Sequence, residues 1–99
     1  MIVSFRSKAL RQFWEDGNRR GLRPDLVDRI KSLLFAVHAA RKPEDLVGIA
    51  RFHPLVGKPQ RYALSVNKNC RITFGWTDEF ATDLDLEDYH EPSQQDCVP

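Results

Sequence analysis

The sequence predicts an α+β domain in which two N-terminal helices pack on one face of a small, mostly antiparallel sheet, in the order β-α-α-β-β-β. Three observations carry this. Two stretches between residues 7 and 40 repeat apolar residues at helical spacing. Three segments after residue 60 alternate apolar and polar residues with period two. Gly, Pro and Asn punctuate the joins between them.

Ile2-Val3-Ser4-Phe5 is a short β-prone run and reads as the first strand. Ser7 is placed to cap a helix running to about Asp16, with Leu10, Phe13 and Trp14 on one face. Gly17 and Gly21 bracket a polar connection. Pro24 suits the first turn of a second helix, whose stripe of Leu26, Ile30, Leu33, Leu34 and Val37 runs to about Ala40. Pro43 disfavours helix at Lys42 and ends it. Residues 41–60, with three Pro and two Gly, read as a long loop, a feature that in so small a domain usually has a function. Arg61–Val66 alternates, with Tyr62, Leu64 and Val66 on one face, and Asn67-Lys68-Asn69 is turn chemistry. Cys70–Trp76 points Ile72, Phe74 and Trp76 inward and Arg71, Thr73 and Gly75 outward. Thr77-Asp78-Glu79 then turns into a last strand, Ala81–Glu87, with Leu84 and Leu86 on one face and Asp83, Asp85 and Glu87 on the other. Residues 1–90 form the expected single domain and 91–99 a flexible acidic tail.

Ninety-nine residues suffice for one hydrophobic core without staples. With 41% hydrophobic and 29% charged residues, the composition is that of a globular protein rather than a disordered one. No apolar run approaches the roughly 20 residues that span a bilayer, and Met1–Arg6 lacks the apolar stretch of a secretion signal. Neither a membrane nor an exported destination is expected, and two cysteines without metal-ligand spacing fit a reducing cytoplasm. No metal or cofactor is expected. Charge is unevenly distributed. All 15 Lys and Arg but only 6 of the 14 acids lie in residues 1–71, a balance of +9; residues 72–99 hold the other 8 acids and no Lys or Arg, a balance of −8. That asymmetry suits an anionic partner, unless folding interleaves the two halves and cancels the field.

Four features bear chemistry: His53 in Arg51-Phe52-His53-Pro54-Leu55; Lys58, Arg61 and Lys68 around the hairpin; Arg71 on the outward face; and Asp88-Tyr89-His90 at the end of the last strand. Each alone has a plain structural reading. A single histidine such as His38 is more often packed than catalytic, Arg71 can pair with Asp85 or Glu87, and the final triplet can be a polar strand end. Together they form a set suited to RNA cleavage. A base takes the 2′-hydroxyl proton, an acid protonates the departing 5′-oxygen and a cation stabilises charge on phosphorus. Histidine suits either proton role near neutrality.

The opening Ile2-Val3-Ser4-Phe5-Arg6, the loop Arg51-Phe52-His53-Pro54-Leu55…Gly57, the strand Asn69-Cys70-Arg71-Ile72-Thr73-Phe74 and the closing Asp88-Tyr89-His90 resemble the HigB toxins of the RelE/ParE superfamily, over about residues 1–90. The resemblance implies a RelE/ParE-like fold and a ribosome-dependent mRNA endonuclease. It further implies that a helix-turn-helix, HigA-like antitoxin holds the enzyme inactive and alone provides any contact with operator DNA. It implies that His53, Asp88, Tyr89 and His90 are catalytic and that Arg71 contacts the scissile phosphate. Arg51, Lys58, Arg61 and Lys68 would meet RNA. Either His53 or His90 is then the base, Tyr89 stacks on or orients the substrate and Asp88 fixes a histidine tautomer. Cys70 departs from the family, which often has an aromatic residue there, and the acidic tail is longer than the family pattern. Two other functions fit parts of the sequence. A ParE-like gyrase poison would lack the terminal triplet's chemistry, and a non-catalytic RNA or ribosome binder would use the basic half through salt-sensitive phosphate contacts.

Overall fold

The computed structural model describes residues 1–67 and 70–88, and only the backbone of Asp88. Helix α1 (Lys8–Asp16) begins where Ser7 accepts a hydrogen bond from the Leu10 backbone N–H at 3.2 Å. It ends at Gly17, whose φ of +72° is the left-handed conformation that glycine adopts without strain. Pro24–Leu26 forms a 3₁₀ turn leading into α2 (Val27–Ala39). A three-residue strand β1 (His53–Leu55) pairs with β2 (Arg61–Ser65), which pairs with β3 (Cys70–Thr77), which pairs with β4 (Phe80–Asp88). All three pairings are antiparallel.

The two helices and the four-stranded sheet make an α+β fold, as the sequence predicts, but two elements differ. Residues 2–5 are not a regular strand: Ile2 and Phe5 form isolated parallel bridges to Ala81 and Leu84. The cause is a bulge in β4, where Asp83 takes a φ of +50° and the register against β3 shifts. There the Ser4 hydroxyl, not a backbone carbonyl, accepts the Asp83 N–H at 2.9 Å. Nor are residues 41–60 one irregular loop, since they contain a 3₁₀ turn at Pro43–Leu46 as well as β1. Three residues with proline in the middle carry too little alternation to be read as a strand, and Pro54 is tolerated because β1 is a sheet edge.

The core lies between helices and sheet. Leu10 of α1, Ile30 and Leu34 of α2, and Leu64, Ile72 and Phe74 of the sheet are fully buried, each contributing roughly 1.5–3 kcal/mol of transfer free energy. His38 is a packed histidine. Its ring lies 5.1 Å from that of Trp14 and its Nδ1 accepts the Ile2 N–H at 3.3 Å. Cys70, at the start of β3, is fully buried and disulfide-bonded. Among the described residues, no helix is long and apolar enough to cross a membrane.

Candidate active site

The helices cover one face of the sheet, and the other face gathers polar side chains in rows. Residues directly opposite in an antiparallel pair share a face. His53 opposes Ala63, Ala63 opposes Thr73, and Thr73 opposes Asp85. On one side of this row run Leu55, Arg61, Gly75 and Thr82; on the other run Ser65, Arg71 and Glu87. The outward face is therefore the one bearing Arg71, Thr73 and Gly75, as the alternation predicts. It is more enclosed than a solvated sheet surface, since Ala63 and Thr73 have no exposed area.

A continuous polar network lies across it. Arg61 Nη2 donates to the Thr73 hydroxyl at 3.3 Å and to the Asp83 carbonyl at 2.7 Å. The Thr73 hydroxyl in turn donates to Glu87 Oε2, while Glu87 Oε1 accepts from Arg71 Nη2 at 3.2 Å. Burial alone pushes the Glu87 carboxyl upward. The hydrogen bonds from Thr73 and Arg71, with the charges of Arg71 and Arg61, hold it below its ordinary value. Burial, then the neighbouring charge of Arg6, lowers Arg61, against the pull of Asp83, Glu87 and Asp85. At this face the basic and acidic halves of the sequence are interleaved, because β4 brings its carboxylates beside the arginines of β2 and β3.

His53 is exposed on the edge strand. Phe52, just before it, stacks on Tyr62 at 5.5 Å between ring centroids and lies 6.4 Å from Phe74, which fixes this end of β1 to the core. The His53 Nδ1 lies 2.9 Å from the Arg51 carbonyl oxygen. A carbonyl only accepts, so this hydrogen bond places the proton on Nδ1 and the neutral ring's lone pair on Nε2. Arg51 itself has a φ of +54°. Its side chain borders a cleft of about 240 Å³ with Arg29, Ser65 and Asn67. Ser65 opposes Arg71, so this cleft adjoins the polar face.

The structure thus brings His53, Arg61 and Arg71 to one face, with Arg51 at its margin. Lys58 is exposed in the β1–β2 connection. The backbone of Asp88 ends β4 opposite Cys70, but its side chain, and Lys68, Tyr89, His90 and the tail 91–99, lie outside the described residues. Sequence reading missed the buried hydroxyl of Thr73 and the Asp83 carbonyl as parts of this face, and singled out Glu87 only as one possible partner of Arg71. The signal was present in β4: buried Ala81 and Leu84 are three apart rather than two, which marks the bulge. Among the described residues, no group of three or more His, Cys, Asp and Glu is arranged to hold a metal ion. A larger groove of about 540 Å³, lined by Trp14, Lys31, Phe35 and His38, lies between the helices rather than at this face.

Comparison with known proteins agrees with this fold. Residues 3–90 match the family model for HigB-like toxins, described as the RelE-like toxin of the type II toxin–antitoxin system HigB. Over 92 residues, covering 91% of this chain and 100% of the relative, the sequence is 38% identical to the Endoribonuclease HigB of Proteus vulgaris. The chain belongs to the HigB-like family of RelE-like toxins, and hence to a type II toxin–antitoxin system with an antitoxin as its partner.

Proposed function

We propose that this toxin is an endoribonuclease that cuts messenger RNA on the ribosome, by acid–base chemistry at the polar sheet face. The observation that supports it most is the placement of the exposed His53 imidazole and the Arg71 guanidinium on one face, with the Nδ1–Arg51 contact presenting Nε2 as a base. Strands two apart in a sheet are separated by roughly 10 Å, and Arg71 lies two residues along β3 from Thr73, which is in line with His53. In this reading the phosphodiester lies in the space between the two long side chains.

In this mechanism His53 Nε2 removes the proton of a 2′-hydroxyl, and the 2′-oxygen attacks the adjacent phosphorus. The 5′-oxygen of the next nucleotide leaves with a proton from His90, yielding a 2′,3′-cyclic phosphate and a 5′-hydroxyl. Arg71 balances the negative charge that builds on the phosphoryl oxygens. Tyr89 stacks on the substrate and Asp88 holds a histidine tautomer. Arg51, Lys58 and Lys68 meet the flanking phosphates, with Arg61 adding charge from its anchored position. The antitoxin is a HigA-like helix-turn-helix protein, which alone contacts operator DNA, and the toxin acts in the cytoplasm where translation occurs.

Primer extension on a translated message and on the same message free of ribosomes, beside a gyrase supercoiling assay, tests the proposal. The expected result is cleavage of the translated message only, with supercoiling untouched. Inhibition of gyrase without cleavage would replace this reading with a ParE-like one. Growth arrest without either would point to a non-catalytic RNA or ribosome binder.

A further inference from the structure

Glu87 has no role in the mechanism above, yet it joins the polar network from the edge strand β4. It stands directly opposite Arg71 across the β3–β4 ladder. One carboxylate oxygen accepts from Arg71 Nη2 at 3.2 Å and the other accepts the hydroxyl of Thr73. Thr73 has no exposed area, and the same hydroxyl accepts from Arg61 Nη2, which also donates to the Asp83 carbonyl at 2.7 Å. The positive φ of Asp83 accompanies the bulge that shifts the ladder and brings Glu87, rather than Leu86, opposite Arg71. Backbone geometry at the bulge of β4 is thereby tied, through the side chains of Arg61, Thr73 and Glu87, to the Arg71 guanidinium of β3.

We infer that Glu87 is a positioning residue, which orients the Arg71 guanidinium for the scissile phosphate and is itself locked by Thr73 and Arg61. This rests on the reading of Arg71 as the phosphate's partner. An arginine on a strand has several rotatable bonds, and its planar fork stabilises a phosphoryl group well only when correctly presented. A carboxylate held at both oxygens restrains the guanidinium through its Nη2 before substrate arrives. Catalytic charge stabilisation depends on such preorganisation. The carboxylate also carries charge of the same sign as the phosphate, so its contribution lies in the rate of the chemical step rather than in affinity for RNA.

The experiment is single-turnover cleavage of a translated message by Glu87→Gln, by Arg71→Ala and by the double variant, with KM and thermal midpoint measured alongside. Glu87→Gln is expected to lower the rate by roughly tenfold to a hundredfold, the effect of a small misplacement of a catalytic group, without raising KM. In the Arg71→Ala background the same change is expected to have little further effect, because it acts through the missing guanidinium. Thr73→Val should behave like Glu87→Gln, and Thr73→Ser, which keeps the hydroxyl, should restore the rate; this pair carries the test if the Glu87 variant does not fold. Wild-type cleavage by Glu87→Gln, or a loss undiminished in the Arg71→Ala background, overturns the positioning role while leaving the nuclease reading intact. Wild-type cleavage by Arg71→Ala itself overturns the reading of Arg71, and the inference with it.

Discussion

His53 and Thr73 stand in the same cross-strand row, each the direct partner of Ala63. The exposed imidazole and the buried hydroxyl that anchors the arginine network are thus separated by one methyl group. Ala63 is fully buried between them, so a larger side chain at 63 would push apart the edge strand bearing His53 and the strand bearing Thr73. Ala63→Leu is expected to cost about 1–3 kcal/mol from overpacking and to reduce cleavage by more than that loss of folded protein explains. Single-turnover rates normalised to folded protein by circular dichroism check this.

The position of His53 depends on its neighbour. Phe52 fastens the short edge strand by stacking on Tyr62 and approaching Phe74. Aromatic pairs of this kind contribute about 0.5–1.5 kcal/mol beyond their burial. Phe52→Ala should therefore leave the sheet folded but release β1, lowering cleavage while Phe52→Tyr retains it. Amide hydrogen exchange at residues 53–55 should quicken in the alanine variant alone.

Glu87 predicts a pH signature in stability. Its carboxyl is held below the ordinary value of 4.5 in the folded protein, so the folded state binds the proton less readily than the unfolded one. The associated stability is present above the ordinary value and is lost as pH falls through the folded one. Wild type should exceed Glu87→Gln in chemical-denaturation stability near neutrality, and the gap should close as the pH is taken from about 5 downward. A gap that stays constant over that range would contradict the assignment of the Thr73 and Arg71 contacts.

Arg61 is anchored to Thr73 and to the bulge carbonyl of Asp83. Replacing it with methionine keeps the apolar stem and removes both contacts, leaving partly buried acceptors without that donor. A loss of about 1–2 kcal/mol is expected, which for a domain of this size lowers the thermal midpoint by several degrees. Arg61→Lys, with one point donor in place of a fork, should recover only part of it.

Much of this arrangement was legible in the residues. Ser7 and Gly17 mark both ends of α1, because caps are local chemistry that tertiary context does not override. The stripe from Leu26 to Val37 marked α2, and the alternation in β2 and β3 correctly separated the core-facing Leu64, Ile72 and Phe74 from the outward Arg71 and Thr73. The failures share a cause in long-range register. Nothing local in Ile2–Phe5 shows that its partner strand is bulged at Asp83, so the segment reads as a full strand. Pro54 hid β1, since a proline in so short a run argues against a strand until the edge position is known. Alternation offered Asp85 and Glu87 alike as partners of Arg71, but counting back from the turn at Thr77–Glu79 without the bulge would set Arg71 against Leu86, so the choice of Glu87 required the observed register.

The central claim is that His53 and Arg71 act on one phosphodiester, and its most direct measurement is the single-turnover cleavage rate of a translated message by His53→Ala and by Arg71→Ala. His53 is exposed, so its removal should cost little stability. Arg71 is partly buried against Glu87, and its removal is expected to cost about 1–2 kcal/mol, leaving the protein folded. The account predicts that each variant folds as wild type does and loses at least a hundredfold in rate, the usual contribution of a positioned acid, base or charge stabiliser. Cleavage at the wild-type rate and sites by both folded variants would contradict it.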